Sequence, residues 1–284
     1  MRESRRGSVV VTGAATGIGA AVATRLADLG FRVFAGVRDL EDIDAVNARG
    51  NAHVTPVLMD VTAGETIADA AARISEMVGS NGLAGLVNNA GIAVGGPLEL
   101  IPIGDLRRQF ETNVIGALAV TQAFLPHLRQ GQGRIVNVGS TSGRVAAPFA
   151  GPYAASKFAL RALTDSLRVE LSPWHMPVCL IEVGPVATDI WGKSLAELDH
   201  RWDTMTPAAR TLYRPLFRAI RRSAEDRGKA GIPIEDVVEA IVHAMIAPKP
   251  KTRYLVGKIA REIAIVSLLP DRVRDWLVLR HLGI

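Results

Sequence analysis

The stretch SVVVTGAATGIGAAVATRLADLG, residues 8–30, contains the signal that decides the fold. Its opening apolar run predicts a buried strand, and the alanine-rich segment predicts a helix closed by Gly30. Between them lie Gly13, Gly17 and Gly19. Glycines let the backbone approach a pyrophosphate closely, and the N-terminus of the following helix favours an anion. The stretch therefore predicts a dinucleotide-binding strand–loop–helix unit, with a plain tight turn as the alternative.

The same alternation of strands and helices continues along the chain. Further strands are predicted at residues 32–37, 53–61, 85–89, 134–140, 177–183 and 252–257, with helices across 66–78, 103–129 and 153–171. Runs of Val, Ile and Leu without polar alternation are typical of parallel strands covered on both faces. We expect an α/β fold, a doubly wound parallel sheet of the Rossmann type, in a single domain over residues 1–284.

Two segments interrupt or follow this pattern. Residues from about 189 to 231 are mostly helical and aromatic-rich, which predicts a substrate lid after the sixth strand. The tail, residues 258–284, carries apolar residues at helical spacing with arginines between them. We expect an oligomer or lid contact there, with peripheral membrane contact as the less favoured alternative.

Composition excludes several classes of function. The 33 basic and 28 acidic residues are spread along the chain, so solvated faces explain the charge better than nucleic acid binding. The single cysteine, Cys179, lies in an apolar strand and predicts a buried small side chain, and the histidines lack metal-ligand spacing. We expect no metal. There is no secretory signal and no apolar run that predicts a transmembrane span, which favours a cytoplasmic protein.

The end of the second predicted strand bears on the choice of cofactor. An acidic residue there accepts from the ribose 2′-hydroxyl of NAD, whereas an arginine suits the 2′-phosphate of NADP. The strand ends in Gly36, Val37 and Arg38, and Thr16 offers a hydroxyl to a phosphate. The sequence thus favours NADP(H) over NAD(H). Asp39 weakens this preference because a small backbone shift presents its carboxylate instead, and a solvated turn is the alternative.

Two other strand ends are expected at the same crevice. Asp60 is a candidate partner of the adenine amino group, and the turn N88-N-A-G91 offers amides and a close approach to a cofactor. Asn and Gly are also ordinary turn formers, so a structural turn stays an equal alternative for each.

Tyr153 and Lys157 lie four residues apart and share one face of a predicted helix. A phenol with a pKa near 10 needs a neighbouring positive charge to act as a base at neutral pH, and Lys157 supplies one. Ser140, at the carboxyl end of a strand, is a candidate for holding the substrate oxygen, with Ser142 as a competitor. Asn113 is a candidate for a proton path through its carbonyl and water, or a structural residue.

Together these motifs resemble the short-chain dehydrogenase/reductase family from Ser8 to about Gly257. TGxxxGxG occurs at residues 12–19, NNAG at 88–91, and the family's Asn, Ser, Tyr and Lys fall on the four residues just described. The lipophilic branch of the family, which acts on hydroxysteroids and retinol, is also similar. Where the family has Pro-Gly, this chain has Val183-Gly184, followed by Thr188 for the nicotinamide carboxamide.

The resemblance implies two sets of site residues. The catalytic set is Asn113, Ser140, Tyr153 and Lys157. The cofactor-binding set is Gly13, Thr16, Gly17, Ile18, Gly19, Arg38, Asp60, Val61, Asn89, Ala90, Gly91, Tyr153, Lys157, Val186 and Thr188.

We therefore expect an NAD(P)-dependent oxidoreductase that interconverts an alcohol and its carbonyl on a small, fairly apolar substrate. The alternatives are a catalytically silent dinucleotide-binding regulator, and an epimerase or dehydratase on the same fold. The family resemblance implies a homodimer or homotetramer.

Overall fold

The computed structural model describes residues 6–186, 190–229 and 231–284. Seven parallel strands form one sheet in the order β3-β2-β1-β4-β5-β6-β7. The strands are β1 (Ser8–Thr12), β2 (Arg32–Val37), β3 (Val54–Leu58), β4 (Gly85–Asn88), β5 (Arg134–Val138), β6 (Val178–Val183) and β7 (Arg253–Val256). The strand order reverses between β1 and β4, which opens a crevice at their carboxyl ends. The predicted α/β fold with a doubly wound parallel sheet is confirmed.

Eleven α-helices occur within the described residues. They are α1 (Gly17–Asp28), α2 (Leu40–Asn47), α3 (Gly64–Val78), α4 (Ile103–Phe110), α5 (Gly116–Gln130), α6 (Gly151–Glu170), α7 (Ile190–Thr204), α8 (Pro207–Lys229), α9 (Ile234–Ile246), α10 (Lys258–Val266) and α11 (Asp271–Leu282). The predicted helix over 103–129 is broken by one π-helical turn, Glu111–Ile115. Helices α2 and α9 were not predicted from the sequence, and the tail forms two helices, α10 and α11.

The core lies on both faces of the sheet. Val9 and Val11 of β1 face one cluster, which includes Leu26 of α1 and Ile241 of α9. Val10, between them, faces the second cluster, together with side chains of α3 and α5. Alternate residues of a strand point to opposite faces, so an all-apolar strand is buried on both sides. Burial on both faces holds the strands in place, and the candidate site lies at their carboxyl ends.

The lid helices α7 and α8 have a small core of their own. Leu198 and Phe217 are buried against Phe149, and Trp202 stacks on Phe217 with ring centres 4.0 Å apart. Tyr213 meets Phe149 edge to face at 6.0 Å. Because Phe149 precedes α6 by two residues, the lid core is continuous with the segment that leads into the helix of Tyr153.

Candidate active site

The glycine-rich loop between β1 and α1 is shaped by close backbone approach. Gly13 and Gly17 adopt positive φ angles of 60° and 56°, which side chains other than glycine rarely tolerate. A Cβ on Gly19 would lie 2.2 Å from the Gly13 carbonyl oxygen. At the N-cap of α1, the Thr16 side chain makes no capping hydrogen bond, which leaves the amides of the first turn, including Ile18, to an anion. The loop therefore fits a pyrophosphate.

The turn after β4 is hydrogen-bonded to this loop. The Thr12 hydroxyl accepts from the amides of Asn89 and Ala90, both at 3.0 Å. The Asn89 side chain donates to the carbonyl oxygens of Thr12 at 3.0 Å and Gly13 at 3.1 Å. Two of the predicted cofactor segments, which are far apart in the sequence, are thus brought together at the crevice.

Arg38 and Asp39 stand at the tip of β2, and they differ in what they offer. The Arg38 side chain is 73% exposed. One carboxylate oxygen of Asp39 accepts from the Asp42 amide at 3.0 Å, which caps α2, and the other lies 3.4 Å from the Arg38 guanidinium. One carboxylate oxygen is thus occupied by the cap of α2 and the other by Arg38, whose side chain is the more exposed of the two.

Arg49 is a residue of this region that the sequence analysis missed. Its guanidinium donates to the carbonyl oxygens of Ala14, at 3.4 Å, and Ala15 in the glycine-rich loop. The contact bridges 34 residues of sequence, and no local motif at the end of α2 signals it. Arg49 therefore braces the loop from the α2 side and adds a second cation near the tip of β2.

The remaining predicted cofactor residues are placed as follows. One Asp60 carboxylate oxygen accepts from the Thr62 amide and hydroxyl, each at 2.8 Å. Val61 is buried, and a Cβ on Gly116 would lie 2.5 Å from its carbonyl oxygen, so α5 packs tightly beneath the end of β3. Val186 is buried as well, and Thr188 lies outside the described residues.

Tyr153, Lys157 and Ser140 converge where β5 meets α6. The Ser140 side chain is near enough to the Tyr153 phenol to lower its pKa, and the Ser140 hydroxyl accepts from the Ser142 amide at 3.1 Å. The Lys157 ammonium lies 5.7 Å from the centre of the Tyr153 ring and donates to the Val138 carbonyl at 2.9 Å. Of the two candidate serines, Ser140 is the one that affects the tyrosine.

Burial sets the protonation of this pair. Desolvation raises the pKa of Tyr153, and the nearby Ser140 side chain opposes the rise. Desolvation also lowers the pKa of Lys157 to about 8. At neutral pH the pair is therefore a protonated phenol beside a largely protonated amine, and the phenol is in the form that donates a proton.

Asn113 lies in the π-helical turn between α4 and α5. Its side-chain oxygen accepts from the Ile92 amide at 2.9 Å, and its amide group donates to the Ile92 carbonyl at 3.0 Å and to the Ser156 hydroxyl at 3.1 Å. A Cβ on Gly91 would lie 3.2 Å from Asn113 and 3.8 Å from the Lys157 ammonium. The π turn thus joins the turn after β4 to α6, and π turns are frequent at functional sites.

Two classes of site have no support in the described part of the chain. No group of three or more His, Cys, Asp or Glu side chains there could hold a metal ion. No described helix has both the length and the apolar character needed to cross a membrane. Cys179 is buried, and desolvation raises the pKa of its thiol to about 11, so it is not a reactive thiol.

Sequence comparison places this geometry among known proteins. A family model described as short chain dehydrogenase matches residues 8–199. An NADPH-dependent 3-dehydrocapnine reductase from Ornithobacterium rhinotracheale is 35% identical over 96% of this chain and 96% of its own length. Human retinol dehydrogenase 16 is 34% identical over 95% of this chain and 88% of its own length.

A solved structure is also similar over nearly all of its length. It is a short chain dehydrogenase from Burkholderia cenocepacia in complex with NADP, at 28% identity and a TM-score of 0.73. The alignment covers 98% of this chain and 99% of that one. Fold and sequence therefore agree on the same group of proteins.

Proposed function

Because this chain belongs to the short-chain dehydrogenase family and is an oxidoreductase, we propose that it reduces the carbonyl group of an apolar substrate to an alcohol with NADPH. The observation that carries the proposal is the grouping of Ser140, Tyr153 and Lys157, in which the Lys157 ammonium lies 5.7 Å from the centre of the Tyr153 ring. This set lies at the carboxyl ends of the strands, where open α/β sheets bind ligands.

The proton chemistry follows from the protonation of the pair. Tyr153 is a protonated phenol at neutral pH, so it donates its proton to the carbonyl oxygen as the alcohol forms. NADPH supplies the hydride to the carbonyl carbon when it is bound. Lys157 stabilises the phenolate left behind, and Ser140 orients the substrate oxygen beside the phenol. Asn113 fixes the backbone at Ile92 and the position of α6.

The preference for NADP(H) over NAD(H) is supported by the tip of β2. Asp39 is engaged as the cap of α2, whereas the exposed Arg38 is suited to a 2′-phosphate. Two similar proteins agree with this preference, since one is NADPH-dependent by name and another was solved with NADP. The phosphate groups between adenosine and nicotinamide would be held by Gly13, Gly17 and Gly19 with the first turn of α1.

An apolar substrate is supported by the lid. Leu198, Phe217 and Phe149 form a buried apolar cluster next to the start of α6. Such lids exclude water and hold apolar chains by burial of their surface. The name of the human relative, retinol dehydrogenase 16, is consistent with a lipophilic alcohol or carbonyl.

We also propose that the chain forms a homo-oligomer through α5 and α6. Large apolar side chains are exposed at Ile115, the last residue of the π turn before α5, and at Phe158 and Val169 of α6. Exposed apolar side chains that recur along one surface mark protein contacts. Light scattering of the purified protein gives the number of subunits, and a monomeric mass at micromolar concentration contradicts this part of the proposal.

Tyr153→Phe tests the function directly. The variant keeps the ring and removes only the proton donor, so we expect carbonyl reduction, followed by NADPH absorbance, to fall by about 10²–10⁴-fold. NADPH binding, measured by fluorescence titration, stays within a factor of about two because the phenol is needed for proton transfer.

Tyr254→Phe is the matched control. Tyr254 lies on β7, at the end of the sheet, and its hydroxyl is hydrogen-bonded to His243 and to the Lys251 amide. Loss of this hydroxyl should therefore leave turnover unchanged. Turnover by Tyr153→Phe at the wild-type rate rejects the proposed role of the phenol. A panel of ketones and aldehydes of increasing chain length, tried with NADPH and NADH, defines the substrate class.

A further inference from the structure

A row of arginines on the lid helix α8 borders a cavity. Arg210, Arg214 and Arg218 are spaced four residues apart, which places them on one face of the helix. Together with Trp202 and Phe217 they line a cavity of about 410 Å³. This volume lies within the range of small-molecule sites in proteins.

The charges of these three arginines are not balanced within the protein. Arg221, on the same helix, pairs with Asp199 and Glu225. In contrast, Arg210, Arg214 and Arg218 make no ion pair or side-chain hydrogen bond with any residue that the structure describes. Like charges four residues apart on a helix repel each other. A concave surface with three such cations attracts an anion, and guanidinium groups bind the oxygens of phosphate, sulfonate and carboxylate in pairs.

Part of the cavity lining, Trp202 and Phe217, also belongs to the lid core. Trp202 stacks on Phe217, and Phe217 is buried against Leu198 and Phe149. Trp202 and Phe217 therefore line the same cavity as the three arginines and also belong to the lid core. A ligand that satisfies both has an anionic head group and an apolar chain.

We propose that Arg210, Arg214 and Arg218 bind the oxyanion head group of an amphiphilic substrate whose apolar chain lies against Trp202 and Phe217 in the same cavity. This inference rests on the proposed function, because it names the chemical class of the substrate that the reductase would accept. The oxyanion is a phosphate, sulfonate or carboxylate, all of which present the same pattern of acceptor oxygens.

The test is a binding measurement that needs no turnover. The full-length protein is titrated with 1-decanesulfonate, 1-decanol and inorganic phosphate, each below its aggregation limit, by calorimetry. We expect 1-decanesulfonate to bind at least tenfold more tightly than either of the other two probes. Arg214→Gln weakens 1-decanesulfonate roughly tenfold, as expected for the loss of a charge-assisted hydrogen bond, and leaves 1-decanol unchanged.

Arg222→Gln is the matched control, because Arg222 continues the same row one turn further but does not line the cavity. It leaves 1-decanesulfonate binding unchanged. Equal weakening by Arg222→Gln and Arg214→Gln overturns the proposal, since general surface charge would then explain the affinity. Equal affinity for 1-decanesulfonate and 1-decanol, or for 1-decanesulfonate and inorganic phosphate, overturns it as well.

A vesicle experiment separates a single amphiphile from a lipid surface. Binding to anionic phosphatidylglycerol vesicles that depends on Arg214, without binding of dissolved 1-decanesulfonate, replaces the proposal with a membrane contact. Failure of the reductase proposal is distinguishable, because Tyr153→Phe tests turnover and leaves the calorimetric result untouched.

Discussion

Arg144 and Glu182 form a two-point ion pair behind the candidate catalytic loop. Nε and a terminal nitrogen of Arg144 each lie 2.7 Å from a different oxygen of Glu182. The side chains are 12% and 1% exposed. Arg144 follows the short turn Thr141–Gly143 that begins after Ser140, and Glu182 belongs to β6. The pair therefore ties the loop of Ser140 to the neighbouring strand.

Arg144→Met should destabilise the fold because it leaves the Glu182 carboxylate buried without its partner. Breaking a buried pair from one side costs about 3–5 kcal/mol of the free energy of unfolding. Urea denaturation measures the loss. Arg25→Met is the control, since Arg25 pairs with Glu239 on the surface and such pairs contribute less than about 1 kcal/mol. Equal losses in the two variants contradict a special role for the buried pair.

Gly19→Ala should abolish dinucleotide binding. The added Cβ would lie 2.2 Å from the Gly13 carbonyl oxygen and 2.5 Å from the Asn89 amide nitrogen, so the loop and the turn after β4 must separate. We expect NADPH affinity to fall at least about 100-fold, because misplaced amides no longer converge on the phosphates. Gly104→Ala is the control, as no atom lies within 4 Å of its added Cβ. Normal NADPH titration by Gly19→Ala would falsify the proposed cradle.

The strands could be predicted from the sequence because their signal is local. Val9, Val10 and Val11 form an unbroken apolar run, which only a strand buried on both faces explains well. The helix α2 was missed although Asp39 precedes it, because LEDIDAVN is short, half of its residues are polar, and its periodicity is weak. The π turn around Asn113, ETNVI, contains no glycine or proline that would signal a break between α4 and α5.

The candidate catalytic residues could be predicted from the sequence, but the residues that hold the surrounding loops in place could not. Tyr153 and Lys157 carry a signal in their spacing. Arg144 and Glu182 are separated by 38 residues, and Arg49 and Ala15 by 34, so each contact exists only after the sheet has formed. Sequence patterns report periodicity within an element, whereas these contacts depend on the order of the strands.

Arg38→Gln should change the choice between the two cofactors. The variant loses the exposed cation at the tip of β2, and we expect KM for NADPH to rise roughly tenfold to a hundredfold. KM for NADH stays the same, since NADH has no 2′-phosphate. Arg129→Gln, which removes a cation near the end of α5, before the amino end of β5, should change neither value. If Arg38→Gln raises both KM values equally, Arg38 does not contact the 2′-phosphate, and Arg49 becomes the residue to test.

Lys157 should make stability depend on pH in alkaline solution. Desolvation lowers the pKa of Lys157 from 10.5 to about 8 in the folded protein, whereas the unfolded chain keeps the ordinary value. Between these pH values the unfolded chain holds the proton and the folded protein does not. The free energy of unfolding therefore rises with pH across this window. Below a pH of about 8 the contribution of Lys157 to this free energy is constant and at its lowest.

Lys157→Met removes this dependence. Relative to the variant, the wild-type protein should gain about 3 kcal/mol between pH 7 and pH 10.5, measured by urea denaturation at several pH values. Lys258→Met is the matched control, because the Lys258 side chain is 90% exposed and its removal leaves the slope of the wild-type curve unchanged. Parallel curves for the wild type and Lys157→Met would show that the buried ammonium keeps an ordinary pKa. In that case Lys157 would be solvated well enough to stay charged above pH 8, and its support of the Tyr153 phenolate would extend into the same alkaline range.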